Sequence, residues 1–149
     1  MSYNITVEIR ASPQIVWDVL LDIERWPEWT PSVTSIQRLD EGPFRVGSLA
    51  RICQPKLPPA DWQVTELERW NFTWVAGRPG VRVTARHHIE PQPAGSRATL
   101  SLEFAGLPGK LVGRLMRRLN ERYLRLEAEG LKSRSEDVQQ SMVHSRRQG

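Results

Sequence analysis

Apolar and polar residues alternate at the start of the chain, and the pattern then becomes helical. Residues 3–10, YNITVEIR, have an apolar side chain at every second position, which is typical of a half-buried β-strand. In the next stretch, ASPQIVWDVLLDIERW, Ser12 can serve as the N-cap of a helix and Pro13 suits its first position. Pro27 ends this pattern, so residues 26–31 are predicted to form a short turn or a broken second helix.

Six further strand patterns follow, separated by turns that contain proline, glycine or asparagine. The predicted strands cover residues 32–39, 47–54, 61–68, 72–77, 81–91 and 97–104. Turn signals that recur at such short intervals are typical of an antiparallel meander.

After the last strand the apolar period becomes helical again, and Pro108 suits a helix start. The predicted apolar stripe consists of Leu111, Val112, Leu115, Met116, Leu119, Tyr123 and Leu126. The helix is predicted to run to about Ser133, a length of roughly 37 Å. Beyond it no apolar face is evident. We therefore predict one domain over residues 1–133 and a disordered basic tail over residues 134–149.

This order of elements predicts the architecture. A seven-stranded antiparallel sheet needs a cover for its inner face, and the long C-terminal helix is the only predicted element large enough. The sequence therefore predicts an α+β fold in which the sheet wraps around this helix, with two short helices after the first strand. A gap is expected between sheet and helix unless large side chains fill it.

The composition is that of a globular domain, with 39% hydrophobic and 26% charged residues. No apolar run approaches the roughly 20 residues that a membrane-spanning helix needs. The N-terminus lacks the basic and apolar segments of a signal peptide. Cys53 is the only cysteine, which excludes an intramolecular disulfide and suits a reducing compartment. We expect a cytoplasmic protein.

Positive charge is concentrated in the last predicted helix. From Lys110 to Arg125 there are six basic residues and one acidic residue. Such a face can attract anionic membrane or nucleic acid, although it is more often the solvated side of an amphipathic helix. The apolar side of the same helix is needed for the core, and the one aromatic residue among the arginines, Tyr123, belongs to that apolar side. Membrane contact is therefore expected to be weak, and we expect no nucleic-acid partner.

Three stretches carry a family resemblance: VEIRASPQIVWDVLLDIERWPEWTPSV, RHHIEPQPAGSRATLSLEF and GLPGKLVGRLM. In this order they resemble the START-like helix-grip superfamily and, within it, the polyketide cyclase/dehydrase and lipid-transport group, also called SRPBCC proteins. The resemblance covers about residues 3–133. It implies the helix-grip fold and a deep cavity between sheet and long helix that holds lipids, sterols, polyketides or other apolar molecules. It does not imply catalysis.

Six tryptophans are the main candidates for the lining of such a cavity. Trp29 is expected at its mouth, while Trp26 fits either a gate or a packed end of the core. The predicted ligand-binding residues are Trp29, Ile52, Trp62, Trp74, Val83, Ala85, His87, Met116, Asn120 and Tyr123. Aromatic walls with a few polar groups are usual for small-molecule sites. The alternative is that the rings fill the core and nothing binds.

The ionisable residues do not define a reaction. His87 and His88 are adjacent on a strand and point to opposite faces, so they cannot both bind one metal. No cysteine, histidine and carboxylate spacing indicates a metal site, and we expect no metal or cofactor. Candidates for acid–base chemistry in a cavity are Arg51, His87, Glu103, Asn120 and Tyr123, although strand parity places Glu103 outside.

The leading hypothesis from the sequence is therefore a protein that binds a small hydrophobic or amphipathic ligand such as a lipid or polyketide, with transport of that ligand left open. The alternative is a polyketide aromatase/cyclase or dehydrase-like enzyme, for which no catalytic residue is assigned. Binding of anionic membrane or nucleic acid through the basic helix face is a third hypothesis. The sequence leaves the oligomeric state open.

Overall fold

The computed structural model describes residues 2–149, with the side chains of residues 107 and 109 excepted, and its elements follow the predicted order. The strands are β1 (Ser2–Ile9), β2 (Ser35–Arg38), β3 (Leu49–Cys53), β4 (Ala60–Glu68), β5 (Asn71–Arg78), β6 (Val81–Gln92) and β7 (Gly95–Ala105). The helices are α1 (Pro13–Leu21), a 3-10 helix (Ile23–Glu28), α2 (Leu107–Leu115) and α3 (Arg117–Gln148).

All seven strands form one antiparallel sheet in the order β1-β7-β6-β5-β4-β3-β2. Strands β2 to β7 follow each other as a meander, and β1 returns to pair with β7. The register of β4 against β5 shifts between Val64 and Glu66, and such irregularities bend a strand and increase its twist. The predicted α+β architecture is confirmed.

The connection after β1 also follows its sequence signals. The Ser12 side chain accepts a hydrogen bond from Ile15 N at 3.3 Å, and Pro13 is the first helical residue of α1. The 3-10 helix contains Pro27, as expected for a broken second helix. Trp26 Nε1 donates to Leu20 O at 2.9 Å, which ties this helix to the end of α1.

The long C-terminal helix differs from its prediction because it is broken at Met116, whose φ of −102° and ψ of 18° are not helical. The segment before the break, α2, lies on β7 through Gly113. A Cβ at Gly113 would lie 2.9 Å from Cγ of Phe104, and Tyr3 Oη donates to Gly113 O at 2.6 Å. The side of α2 that carries Gly113 therefore faces the sheet.

This orientation corrects the predicted apolar stripe. Leu111 and Leu115 are 57% and 76% exposed, so the predicted apolar stripe is wrong for the residues of α2. The prediction assumed one continuous helix, whereas the break at Met116 separates the faces of α2 and α3. The residues that α3 buries are Asn120, Tyr123, Leu124, Ala128, Leu131 and Ser135.

The predicted helix end near Ser133 is too early, because α3 continues to Gln148. Arg10 N donates to Glu136 Oε2 at 2.9 Å, and Ser12 N donates to Gln139 Oε1 at 3.0 Å. The polar side chains of this segment satisfy backbone donors at the junction of β1 and α1. The structure thus has a helix where the sequence indicates a disordered tail. No helix within residues 2–149 is long and apolar enough to span a membrane.

Candidate ligand-binding site

Ring side chains from four elements meet on the inner face of the sheet. This aromatic cluster consists of Trp26, Trp29, Trp62, Phe72, Trp74 and His87. Phe72 and Trp74 are two residues apart on β5 and therefore share a face. Residue His87 of β6 pairs with Phe72 in the sheet register, so the imidazole joins the same face. Trp26 and Trp29 reach the cluster from the 3-10 helix and the residue that follows it.

Trp74 lies at the centre of the cluster and is only 2% exposed. Its ring centroid is 4.8 Å from that of Phe72, 5.3 Å from that of Trp26 and 5.7 Å from that of Trp62. The planes are tilted or edge-to-face, which is the arrangement that aromatic quadrupoles favour. The rings are therefore in direct mutual contact.

The two tryptophans of the proline-rich connection occupy different environments. Trp26 is buried, whereas Trp29 is partly exposed, and their ring centroids are 5.5 Å apart. Trp29 also lines a surface hollow of about 520 Å³ between α1 and the C-terminal part of α3. A Cβ at Gly130 of α3 would overlap the carbonyl oxygen of Trp29, so α3 is in close contact here. Trp29 is thus the member of the aromatic cluster that reaches the surface hollow.

His87 is the polar member of the cluster, and both of its ring nitrogens have partners. Nδ1 lies 3.0 Å from Phe72 O, and Nε2 lies 3.0 Å from Glu127 Oε1 of α3. A carbonyl oxygen only accepts hydrogen bonds, so Nδ1 carries a proton. The contact with Glu127 then requires one more proton, held either by Nε2 or by the carboxyl group. A shareable proton is therefore present in the interior.

Two of the predicted ligand-binding residues, on β4 and α3, carry further buried hydrogen-bond donors. Trp62 Nε1 and Asn120 Nδ2 have no hydrogen-bond partner among the residues that the structure describes. Most buried polar atoms in proteins are paired, so each such atom requires an explanation. Tyr123 Oη, by contrast, donates to Pro55 O in the loop between β3 and β4. The interior thus presents donors that a bound molecule could satisfy.

The other predicted lining residues come from the same sheet face and from the helical segment. Ile52 and Ala85 are buried, and Ala85 pairs with Trp74 in the sheet register. Val83 is partly exposed and packs against both hydrophobic clusters of the core. Met116 is partly exposed and lies at the break between α2 and α3, not within a continuous helical stripe.

Two of the residues considered for acid–base chemistry lie on the outer surface. Arg51 Nε donates to Asp61 Oδ1 at 2.8 Å, and this hydrogen bond raises the pKa of Arg51. The hydrogen bond from Arg86 Nη1 lowers the pKa of Glu103. Both pairs are about half exposed, which confirms the outward position expected for Glu103. Neither pair can supply a proton to the interior.

Glu127 is the acidic residue that sequence analysis missed. Its side chain is 16% exposed and faces His87, although glutamates on helices are usually solvated. The available signal was spacing, since Glu127 lies four residues after Tyr123 and four before Leu131, on the buried face of α3. Within residues 2–149, no group of three or more histidine, cysteine or acidic side chains could hold a metal ion.

Comparisons with known proteins agree on the family and the fold. The family described as polyketide cyclase / dehydrase and lipid transport matches residues 2–136. The Zhui aromatase/cyclase from Streptomyces sp. R1128 superposes with a TM-score of 0.75 at 16% identity, over 91% of this chain and 93% of that one. A START superfamily protein from Mycobacterium smegmatis superposes with a TM-score of 0.69 at 19% identity, over 89% of this chain and 97% of that one. No curated protein matches the sequence.

Proposed function

This chain belongs to the polyketide cyclase/dehydrase and lipid transport family, and from that premise we propose that it binds a small hydrophobic or amphipathic molecule between the sheet and α3. The family and the helix-grip fold support a ligand-binding protein in general. The position of the ligand and its chemical class are the parts that we infer from the residues.

Four buried side-chain polar atoms have no hydrogen-bond partner in the part of the chain that is described: Arg38 Nε, Trp62 Nε1, Asn120 Nδ2 and Ser135 Oγ. The observation that carries the proposal is that two of them, Trp62 Nε1 and Asn120 Nδ2, belong to predicted ligand-binding residues. Leaving such a group unpaired costs about 1–3 kcal/mol. A ligand oxygen that accepts from either donor recovers this free energy. A molecule with oxygen substituents on an apolar body therefore suits the interior better than a plain hydrocarbon.

The walls favour flat or chain-like apolar ligands. Trp74, Phe72 and Ala85 present ring and methyl surface, and burying ligand surface against them contributes roughly 25 cal/mol per Å² before ordering costs. Because the rings contact each other, a ligand must displace at least one of them. Trp29 is the partly exposed ring beside the surface hollow, so it is the ring that moves on entry. A polyketide or an amphipathic lipid meets these requirements.

The first test is native mass spectrometry of the gently purified protein, followed by extraction and identification of any released molecule. Affinity for that molecule, or for an aromatic polyketide and a fatty acid if none is released, is then measured for Trp62→Phe. This variant keeps an aromatic ring and removes Nε1, so binding should weaken roughly tenfold, the equivalent of about 1.4 kcal/mol. Trp17→Phe is the matched control, because Trp17 packs edge-to-face on Trp70 outside the aromatic cluster.

An empty protein that binds neither probe contradicts the proposal and favours a core filled by its own side chains. Equal losses of affinity for Trp62→Phe and Trp17→Phe would contradict the placement of the ligand while leaving binding itself intact. These two outcomes separate the function from the position of the site.

A second candidate function is a cyclase-like enzyme, and the His87–Glu127 pair favours it. The proton shared by Nε2 and the carboxylate could be delivered to an enolate in the interior, which is general acid catalysis. For His87→Gln, an enzyme should lose turnover of an aromatic polyketide precursor at nearly unchanged affinity. If affinity falls and no turnover exists in the parent protein, His87 only orients the ligand.

A further inference from the structure

The outer face of α2 is an exposed apolar surface. Leu111 and Leu115 are four residues apart and therefore lie on the same side of the helix. Their exposed fractions of 57% and 76% are the two largest among the exposed leucines of the chain that the structure describes. Exposed large apolar side chains that lie together mark interaction sites more often than isolated ones do.

The contacts of α2 with the sheet hold this face outward. The opposite side of the helix carries Gly113, whose close approach to Phe104 leaves no room for a side chain. Tyr3 Oη donates to the Gly113 carbonyl oxygen and fixes the same side. Rotation of α2 to bury its leucines would place bulkier residues against Phe104, so the exposure of the leucines follows from the packing.

Unpaired positive charge surrounds the leucines. Residues 105–120 contain four basic residues and no acidic one. Lys110, Arg114 and Arg118 are exposed, and none of the three has an ion-pair partner within residues 2–149. Of these four residues, Arg117 alone has an ion-pair partner in the described structure, Glu121 at 3.0 Å.

The turn between β5 and β6 adds to this surface. A Cβ at Gly80 would lie 3.4 Å from Pro108 Cγ, so the turn touches the start of α2. Arg78, the last residue of β5 before the turn, is exposed and likewise has no ion-pair partner within the described chain. Two structural elements therefore bring cations to one side of the molecule, around the exposed leucines.

We propose that the outer face of α2, defined by Lys110, Leu111, Arg114 and Leu115, docks on an anionic lipid bilayer together with Arg118 in the first turn of α3. Leucines on an interfacial helix enter the boundary between headgroups and acyl chains, while lysine and arginine at its rim pair with lipid phosphates and carboxylates. A nucleic acid would match the charge but leaves the leucines without apolar partners. Binding of single strands also favours aromatic platforms, which α2 lacks.

The docking surface is separate from the proposed interior site, so either can fail without the other. The exposure of the leucines also strengthens the case that the basic residues of this helix bind a membrane. A basic helix whose leucines belong to the core offers a membrane only charge, whereas in the structure Leu111 and Leu115 are exposed beside the cations.

The test is co-sedimentation of the full chain with vesicles of phosphatidylcholine, with and without phosphatidylserine. The parent should bind the anionic vesicles, and added salt should weaken binding. Lys110→Gln with Arg114→Gln removes two cations worth about 1 kcal/mol each, so partitioning should fall roughly 30-fold. Leu111→Ser with Leu115→Ser should reduce it at least about tenfold.

Matched controls change the same residue types elsewhere. Leu39→Ser with Val46→Ser removes exposed apolar side chains of the region between the 3-10 helix and β3, and Arg146→Gln with Arg147→Gln removes cations at the far end of α3. Both controls should bind like the parent. Circular dichroism of each variant checks that the fold is retained, which is expected because the changed side chains are exposed.

Three results would overturn the proposal: no sedimentation with anionic vesicles, equal sedimentation with neutral and anionic vesicles, or equal losses in the controls. Tighter binding of a DNA or RNA oligonucleotide than of the vesicles, unaffected by the leucine substitutions, would assign the surface to nucleic acid instead. If the leucine variant alone loses its fold, α2 belongs to the core and the proposal is wrong.

Discussion

The aromatic cluster and the outer face of α2 are both built from apolar residues at regular spacing, yet one is buried and the other is exposed. Phe72 and Trp74 alternate along β5 and are 0% and 2% exposed. Leu111 and Leu115 follow the helical period and remain largely in solvent. Regular spacing therefore identifies the members of a face, but only the neighbouring elements determine whether that face is covered.

The two regions also differ in whether their ionisable side chains are buried and paired. In the aromatic cluster, His87 is buried and paired with Phe72 O and Glu127. On α2, Lys110 and Arg114 are exposed and have no ion-pair partner among the described residues. Buried ionisable groups need partners, whereas exposed ones remain solvated until a charged surface binds. The first region is suited to an internal ligand and the second to an external surface.

The largest effect that separates the regions is expected from truncation of Trp74. Trp74→Ala removes the central ring of the cluster and should lower the free energy of unfolding by about 3–5 kcal/mol. Chemical denaturation followed by circular dichroism measures this loss. The matched variant Leu115→Ala should change stability by less than about 0.5 kcal/mol. Similar losses for the two variants would remove the distinction between a buried and an exposed face.

An intermediate effect is expected for the coupling free energy between the buried residues His87 and Glu127. A double-mutant cycle with His87→Phe and Glu127→Leu should give a coupling of about 1.5–3 kcal/mol, the range for hydrogen bonds that involve a charged group. The same cycle on Arg86 and Glu103, which are about half exposed, should give a smaller coupling because solvent screens the pair. A larger coupling on the surface than in the interior would contradict the assigned environments.

The smallest effect is expected at Gly113, where α2 meets the sheet. In Gly113→Ala the new Cβ would lie 2.9 Å from Phe104 Cγ, so α2 must shift. Overpacking of this kind costs about 1–3 kcal/mol, partly offset by the higher helix propensity of alanine, for a net loss of about 1 kcal/mol. Arg114→Ala, one residue along on the outer face, is the control and should be nearly neutral. Stabilisation by Gly113→Ala would show that α2 does not rest on Phe104.

Much of the fold could be predicted because its signals are local. Ser12 and Pro13 mark the start of α1, and the seven strands follow alternation and turn residues that lie within a few positions of each other. The inner face of β5 could be predicted too, since strand parity places Phe72 and Trp74 on one side. The partner of His87 could not, because Glu127 lies 40 residues away on another element.

By itself the sequence determined the order of the elements from β1 to β7, the family and the apolar faces of the strands, because hydrophobic period, capping residues and turn residues act over short distances. The tertiary structure alone decided which faces are covered. The contact of Gly113 with Phe104 turns Leu111 and Leu115 outward, and the approach of α3 to β6 pairs Glu127 with His87. Both results depend on packing between distant segments, which a pattern along one chain does not encode.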